Sequence, residues 1–365
     1  MKFTKYLLLL LSISFFIACE KEEPTPILEV PTTYNFNNVD YSGQQTRLAM
    51  FSELSTYMKS ANTSGVVVDA SKMQAMFEND VANAGWSRMY DDSKQLKNKT
   101  FEGVQADFEV LFTRLATASE STIAGEPGTA GIIFSNDGEK NYIIDENGLD
   151  LPQVIEKSLM GALLYYQATT IYMGEDRMSA DNEEVTKGKG TAMEHHWDEA
   201  FGYLGVPIDY PTNIDGLVYW GTYSDRRNDV LQNSQDLIDA LLKGRAAISQ
   251  KMLEERDEAI IEARTEWELT SVASALHYLN GGIANFEDKA LALHGLSEAI
   301  GFIYSLQFNE GKNITNAQVS DLLMHVAGSD KFDDMNLYNT TIDNLQTAKE
   351  ELAAIFGLES IMDEF

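Results

Sequence analysis

Five histidines occur in the chain, and two of them open segments that read alike. His195-His196-Trp197-Asp198-Glu199-Ala200-Phe201-Gly202-Tyr203-Leu204 and His294-Gly295-Leu296-Ser297-Glu298-Ala299-Ile300-Gly301-Phe302-Ile303 both fit His-x-x-x-Glu-Ala-apolar-Gly-aromatic-apolar. Residues i and i+4 share a helix face, so each copy sets an imidazole beside a carboxylate. The first copy also holds His196 and Glu199 at i,i+3. Di-metal bundles use that spacing, in the order Glu-x-x-His, to turn ligands inward. Imidazole with carboxylate suits iron or zinc more than calcium. Two ligands do not complete a site. His294 and Glu298 supply the rest if a pseudo-twofold brings the copies together, with Glu194 and Asp198 as outer groups orienting the ligands. The same residues equally fit a structural ion pair in a polar core, or a metal site with a glutamate as general base. His277 and His325 stand singly in apolar helical patterns and read as satisfied core residues.

These residues need helices to position them. Apolar spacing near 3.6 predicts helices over 44–59, 72–79, 104–118, 153–172, 193–204, 228–249, 253–279, 289–308, 316–326 and 340–356. The pair Gly281-Gly282 is expected to end one of them. One β signal appears: Gly131-Ile132-Ile133-Phe134 and Tyr142-Ile143-Ile144 flank the turn Asn136-Asp137-Gly138. The fold expected is all-α: two packed helical bundles related by internal duplication, with one small hairpin at 131–144. The first bundle spans 35–222 and the second 223–365.

With 57 acidic and 27 basic residues and a net charge of −30, the chain is unsuited to nucleic acid, which needs a Lys/Arg excess. A hydrophobic content of 44% is ample for a core. Residues 1–18 read as a signal peptide: Lys2 and Lys5, then an apolar run from Leu7 to Ile17, shorter than a membrane span requires. The single cysteine, Cys19, follows Phe16-Ile17-Ala18, in the manner of a lipobox, so it is the expected acylation site. Residues 19–34 then form a flexible, proline-containing tether on the outer membrane. Lys21-Glu22-Glu23 resembles a surface-export signal. A thiol nucleophile is excluded, since the one cysteine is committed. There is no His-Glu-x-x-His, Gly-x-Ser-x-Gly, phosphate loop or dinucleotide fingerprint.

The block Met193-Glu194-His195-His196-Trp197-Asp198-Glu199 through Pro207 resembles the lipoprotein family called domain of unknown function 4856. So do Tyr41-Ser42-Gly43-Gln44 with Arg47, the run Lys94 to Thr100, and the run Gln153 to Ala162. That family is similar in turn to the imelysin-like proteins, whose hallmark is Gly-x-His-x-x-Glu; His196 and Glu199 supply its His-x-x-Glu part, while Glu194 stands where the hallmark has Gly. The resemblance implies a two-bundle, surface-anchored protein that binds a metal ion or an iron-containing ligand between its bundles and serves iron or nutrient acquisition. An outer-membrane transporter is the implied partner. The alternatives are a metal-dependent peptidase, as the imelysin group was first named, and a non-catalytic scaffold of an uptake complex.

Overall fold

The computed structural model describes residues 27–365. Cys19 and the signal-like segment before it lie outside the described residues. Twelve α-helices and one two-stranded hairpin make up the described part, so the fold is all-α with a small β element. None of these helices is long and apolar enough to cross a membrane.

The first helices are α1 (Ser42–Lys59), α2 (Ala70–Glu78) and α3 (Gln105–Ser119). Strands β1 (Gly131–Phe134) and β2 (Asn141–Ile144) pair antiparallel, with Gly131 opposite Ile144. Their turn uses Gly138 at φ +75°, as its Asn-Asp-Gly sequence predicts. Helix α4 (Leu151–Leu159) starts with Asp150 as its N-cap and continues as a π-helix over Met160–Tyr172. Three of the π segment's carbonyls are served from outside. Trp220 Nε1 donates to Met160 O, the Phe101 amide to Ala162 O, and Arg264 Nε to Thr169 O.

A one-turn α5 (Glu175–Met178) precedes α6 (Ala192–Gly202), which carries the first histidine segment. Thr191 and Glu194 form a capping box that sets the start of α6. The helix expected over 228–249 is two helices, α7 (Trp220–Leu231) and α8 (Ser234–Ser249). Gln232 adopts a left-handed conformation at φ 55° between them and breaks the register. The helix expected to stop at Gly281-Gly282 runs on as α9 (Leu253–Ala284). Gly282 is there for contact, not termination: a Cβ would stand 2.5 Å from Leu296 Cδ2 on α10 (Lys289–Ser305). The last helices are α11 (Asn316–Ala327) and α12 (Ile342–Phe356).

Buried side chains from Tyr34 to Leu358 form one cluster. Helices on either side of residue 222 pack directly, α4 on α10 and α6 on α8, so the core is continuous across the boundary expected there. The tether also meets the body earlier than its composition suggests. Gln250 and the Glu29 backbone exchange two hydrogen bonds, and Tyr34 is buried, stacked on Phe201 at 3.6 Å. Beyond the charged Lys21-Glu22-Glu23 run, residues 27–34 are therefore a strap laid on α8 and α6.

Glycines that admit a neighbouring helix should be intolerant, and open ones should not. Gly301 on α10 faces Lys157, whose Cβ would lie 2.2 Å from an added Cβ, while Gly281 has open space. Gly301→Ala should lower unfolding free energy by ~1–3 kcal/mol through overpacking. Gly281→Ala should raise it by ~0.5–1 kcal/mol through helix propensity. Urea unfolding of both variants checks this, and equal effects would refute the close-approach reading.

Candidate functional site

Consecutive residues on α6 face different ways, and each face has its own chemistry. Glu194 and Asp198 turn toward α8, where Arg245 is fully buried. Arg245 donates from Nε to Asp198 Oδ1 at 2.8 Å and from Nη1 to Glu194 Oε1 at 2.7 Å. Tyr34 OH donates to the same Asp198 oxygen at 2.9 Å. Burial pushes the Asp198 carboxyl up to about 7, against the pull of Arg245 and Tyr34. Trp197 is buried beside it and donates to Leu241 O across α8, over the bare backbone of Gly244. The two acids expected as outer groups of a ligand site thus serve instead to fix α6 on α8.

The other face carries His195, His196 and Glu199, all partly exposed, against the first turns of α1. His196 Nδ1 donates to Glu199 Oε2 at 3.3 Å. Gln44 Nε2 donates to Glu199 Oε1 at 2.9 Å and Tyr172 OH to the same oxygen at 3.1 Å. Burial opposes the charge on Glu199, but the hydrogen bonds from His196 and Gln44 and the nearby imidazoles lower its pKa to about 2. It stays ionised. Burial holds the His195 ring below the usual imidazole value. Lys99 Nζ donates to Tyr172 OH at 3.2 Å, extending the chain of contacts to the loop after residue 93.

The second segment makes a separate cluster. His294 Nδ1 donates to Asp150 Oδ2 at 2.8 Å, its Nε2 lies 3.8 Å from Glu298 Oε2, and Tyr142 of β2 stacks on the ring at 3.9 Å. Lys157, buried, lies 3.4 Å from Glu298 and also pairs with Glu156. Burial works against a charged His294, but the hydrogen bond to Asp150 and the charges of Asp150 and Glu298 outweigh it and raise its pKa.

The two segments are therefore alike in a way that needs no shared site. Each sets His, Glu and Gly at i, i+4 and i+7 on one stripe, and each stripe packs against an earlier helix. Gly202 admits Tyr41 and Gln44 of the α1 entry, and Gly301 admits Lys157 of α4. Glycine, which looked hard to explain by packing, is the contact point. His294 and Glu298 do not join His195, His196 and Glu199: they pair with Asp150 and Lys157, whereas Glu199 is bonded by Gln44, Tyr172 and His196. Among the described residues no group of three His, Cys, Asp or Glu side chains is placed to hold a metal. Even Asp150 and Glu298 meet His294 on opposite ring nitrogens. The donor set thus does not fit a resident iron or zinc held by protein ligands alone; it offers one imidazole and one carboxylate edge to a ligand that brings its own donors. Of the other histidines, His325 is partly exposed beside Glu351 at 3.5 Å rather than in the core. Burial, with Arg227 nearby, lowers His277 to about 4.

The residues that complete the first cluster, Gln44, Arg47, Lys94, Lys99 and Tyr172, carry no motif of their own. An all-α chain with a polar histidine–glutamate cluster at a helix junction is the class so defined. The chain belongs to the family described as Domain of unknown function (DUF4856), which matches residues 31–359. No curated protein and no solved structure matches it.

Two measurements test these assignments. Asp198→Ala leaves Arg245 buried with one acid fewer, and should cost ~3 kcal/mol in urea unfolding; a loss near zero would contradict the structural role. The folded chain holds the His294 proton more tightly than the unfolded chain does. That contribution is complete below the ordinary imidazole value of ~6.5 and fades as pH rises through the raised value. Unfolding free energy should fall across that window, and His294→Gln should flatten the fall.

Proposed function

We propose that this protein is a lipid-anchored, cell-surface, imelysin-like binding protein of the outer membrane. It captures a metal ion carried in a ligand, iron foremost, at His196 and Glu199, and delivers it to an outer-membrane transporter. The observation that carries this reading is the partly exposed His196–Glu199 pair. A carboxylate held ionised by Gln44, Tyr172 and His196 presents an edge to solvent beside two imidazoles. The structural pair of Asp198 and Arg245, by contrast, lies wholly inside the core. The site works as a receiving surface, because two protein donors suffice when the incoming ligand supplies the rest of the coordination. Support for the location comes from Cys19 after an apolar run and from Lys21-Glu22-Glu23. The chain's net charge of −30 repels anionic headgroups and favours standing off the bilayer.

The test uses the purified full-length chain and iron(III) presented as a soluble chelate. Bound iron should be stoichiometric in the parent chain. It should drop at least tenfold in His196→Ala and in Glu199→Ala, while melting temperatures stay close to the parent's. Undiminished binding in both variants would refute the site. In cells, antibody labelling of the intact surface should be lost with Cys19→Ala.

A further inference from the structure

We infer that the ligand at this site is an anion, and that its carboxylate or phosphate oxygens are received by Lys94, Lys99 and Arg47 at the N-terminal end of α1. This rests on reading the His196–Glu199 cluster as a ligand site and names the chemistry of what binds there. The chain has more than twice as many acids as bases, yet the surroundings of Glu199 are cationic. Among the described residues the buried or half-buried Arg47, Lys94 and Lys99 make no ion pair, whereas most such cations elsewhere do. The electrostatic neighbours of Lys99 are Arg47, Arg177 and Lys94, with Glu199 as the opposing charge. Burial and those like charges hold Lys99 below the usual lysine value.

Arg47 gives the second observation. Its side chain is 6% exposed, and it donates only to the backbone carbonyls of Gln95 and Gly43. Guanidinium has five donors in a fork shaped for carboxylate and phosphate, so buried Arg47 has capacity left over. Tyr203 OH is fully buried close to Arg47, without a well-formed hydrogen bond to it. Gly43 leaves the approach open. The position its Cβ would take is 3.5 Å from Arg47 Nη1 and 3.8 Å from Lys94 Nζ. α1 adds its own field. It is 18 residues long, its N-cap Tyr41 gives no side-chain cap, and no acid occupies its first turn. Its first amide, Ser42 N–H, is taken by Asp40 Oδ1 at 3.0 Å, and the remaining field of that end falls beside Arg47 and Lys94.

A bare divalent cation would be repelled by this arrangement. An anion that also presents a hydroxyl or a chelated metal is served at both ends. Glu199 and His196 take the hydroxyl or metal edge, and Lys94, Lys99 and Arg47 take the oxygens. A hydroxycarboxylate has this layout.

The experiment titrates the purified full-length chain with citrate, inorganic phosphate, iron(III) citrate, and Zn(II) alone, at low and high salt. Citrate or phosphate should bind, with Kd rising about tenfold or more in Lys99→Gln and in Lys94→Gln, and again at high salt. These lysines carry no structural ion pair, so the melting temperature should hold. Citrate stronger than phosphate assigns a carboxylate ligand, and the reverse assigns a phosphate. The inference is overturned if neither oxyanion binds, or if both variants bind as the parent does. If Zn(II) alone binds, and more tightly in Lys99→Gln, the ligand site at His196 and Glu199 survives while its anionic character falls. Loss of every binding signal, iron(III) citrate included, removes both.

Discussion

The buried ion network of Arg245 with Asp198 and Glu194 sets the rotation of α6, and nearly everything else at the site follows from that rotation. Adjacent helix positions lie about 100° apart, so a helix fixed with Asp198 on α8 must turn Glu199 elsewhere. That other direction is the entry of α1. Removing charge from water is costly, and such a network tolerates few alternative arrangements. Tyr34 donating to Asp198 and Phe201 stacking on Tyr34 close the arrangement from the N-terminal side. The strap, α6 and α8 thus form one unit that holds the His196–Glu199 edge in place.

Helix existence was legible in the sequence because apolar spacing reports burial, and most of the helices expected from periodicity are present. Boundaries were less so. The break at Gln232 depends on a left-handed residue that is not a glycine, and periodicity carries no signal for it. Gly281-Gly282 misled for the opposite reason: a glycine pair suits both a helix end and a close helix crossing, and only the neighbour, Leu296, decides. The candidate site was half legible. His-x-x-x-Glu pointed to the correct face of α6. The assumption that two like segments share one site failed because likeness in sequence here encodes a shared way of crossing another helix. Gln44, Arg47, Lys94, Lys99 and Tyr172 come from three distant stretches. Their convergence is a tertiary fact without local signature, although Gln44, Arg47 and the run from Lys94 fall within stretches that carried the family resemblance.

The charge of the chain and the charge of the site have opposite signs, and the contrast matters physically. A strongly negative body keeps the protein soluble and away from anionic surfaces. A local cationic recess within it gathers field lines, because the low-dielectric protein around it screens poorly. Glu199 lies beside these cations and is kept charged by His196, Gln44 and the neighbouring imidazoles. Such a bipolar patch discriminates by layout rather than by net charge.

The π-helical turn sequence ahead of Tyr172 has a consequence for how this patch could diverge among relatives. A π segment accommodates its residues at a different angular pitch from an α-helix, and its carbonyls are tied to Trp220, Phe101 and Arg264 from three separate places. Deleting a residue between 160 and 171 would shift the winding of the stretch toward ordinary α geometry. The phenol that now reaches Glu199 would swing around the axis and leave the carboxylate. The winding of one helix therefore acts as a length gauge for a contact made at its far end.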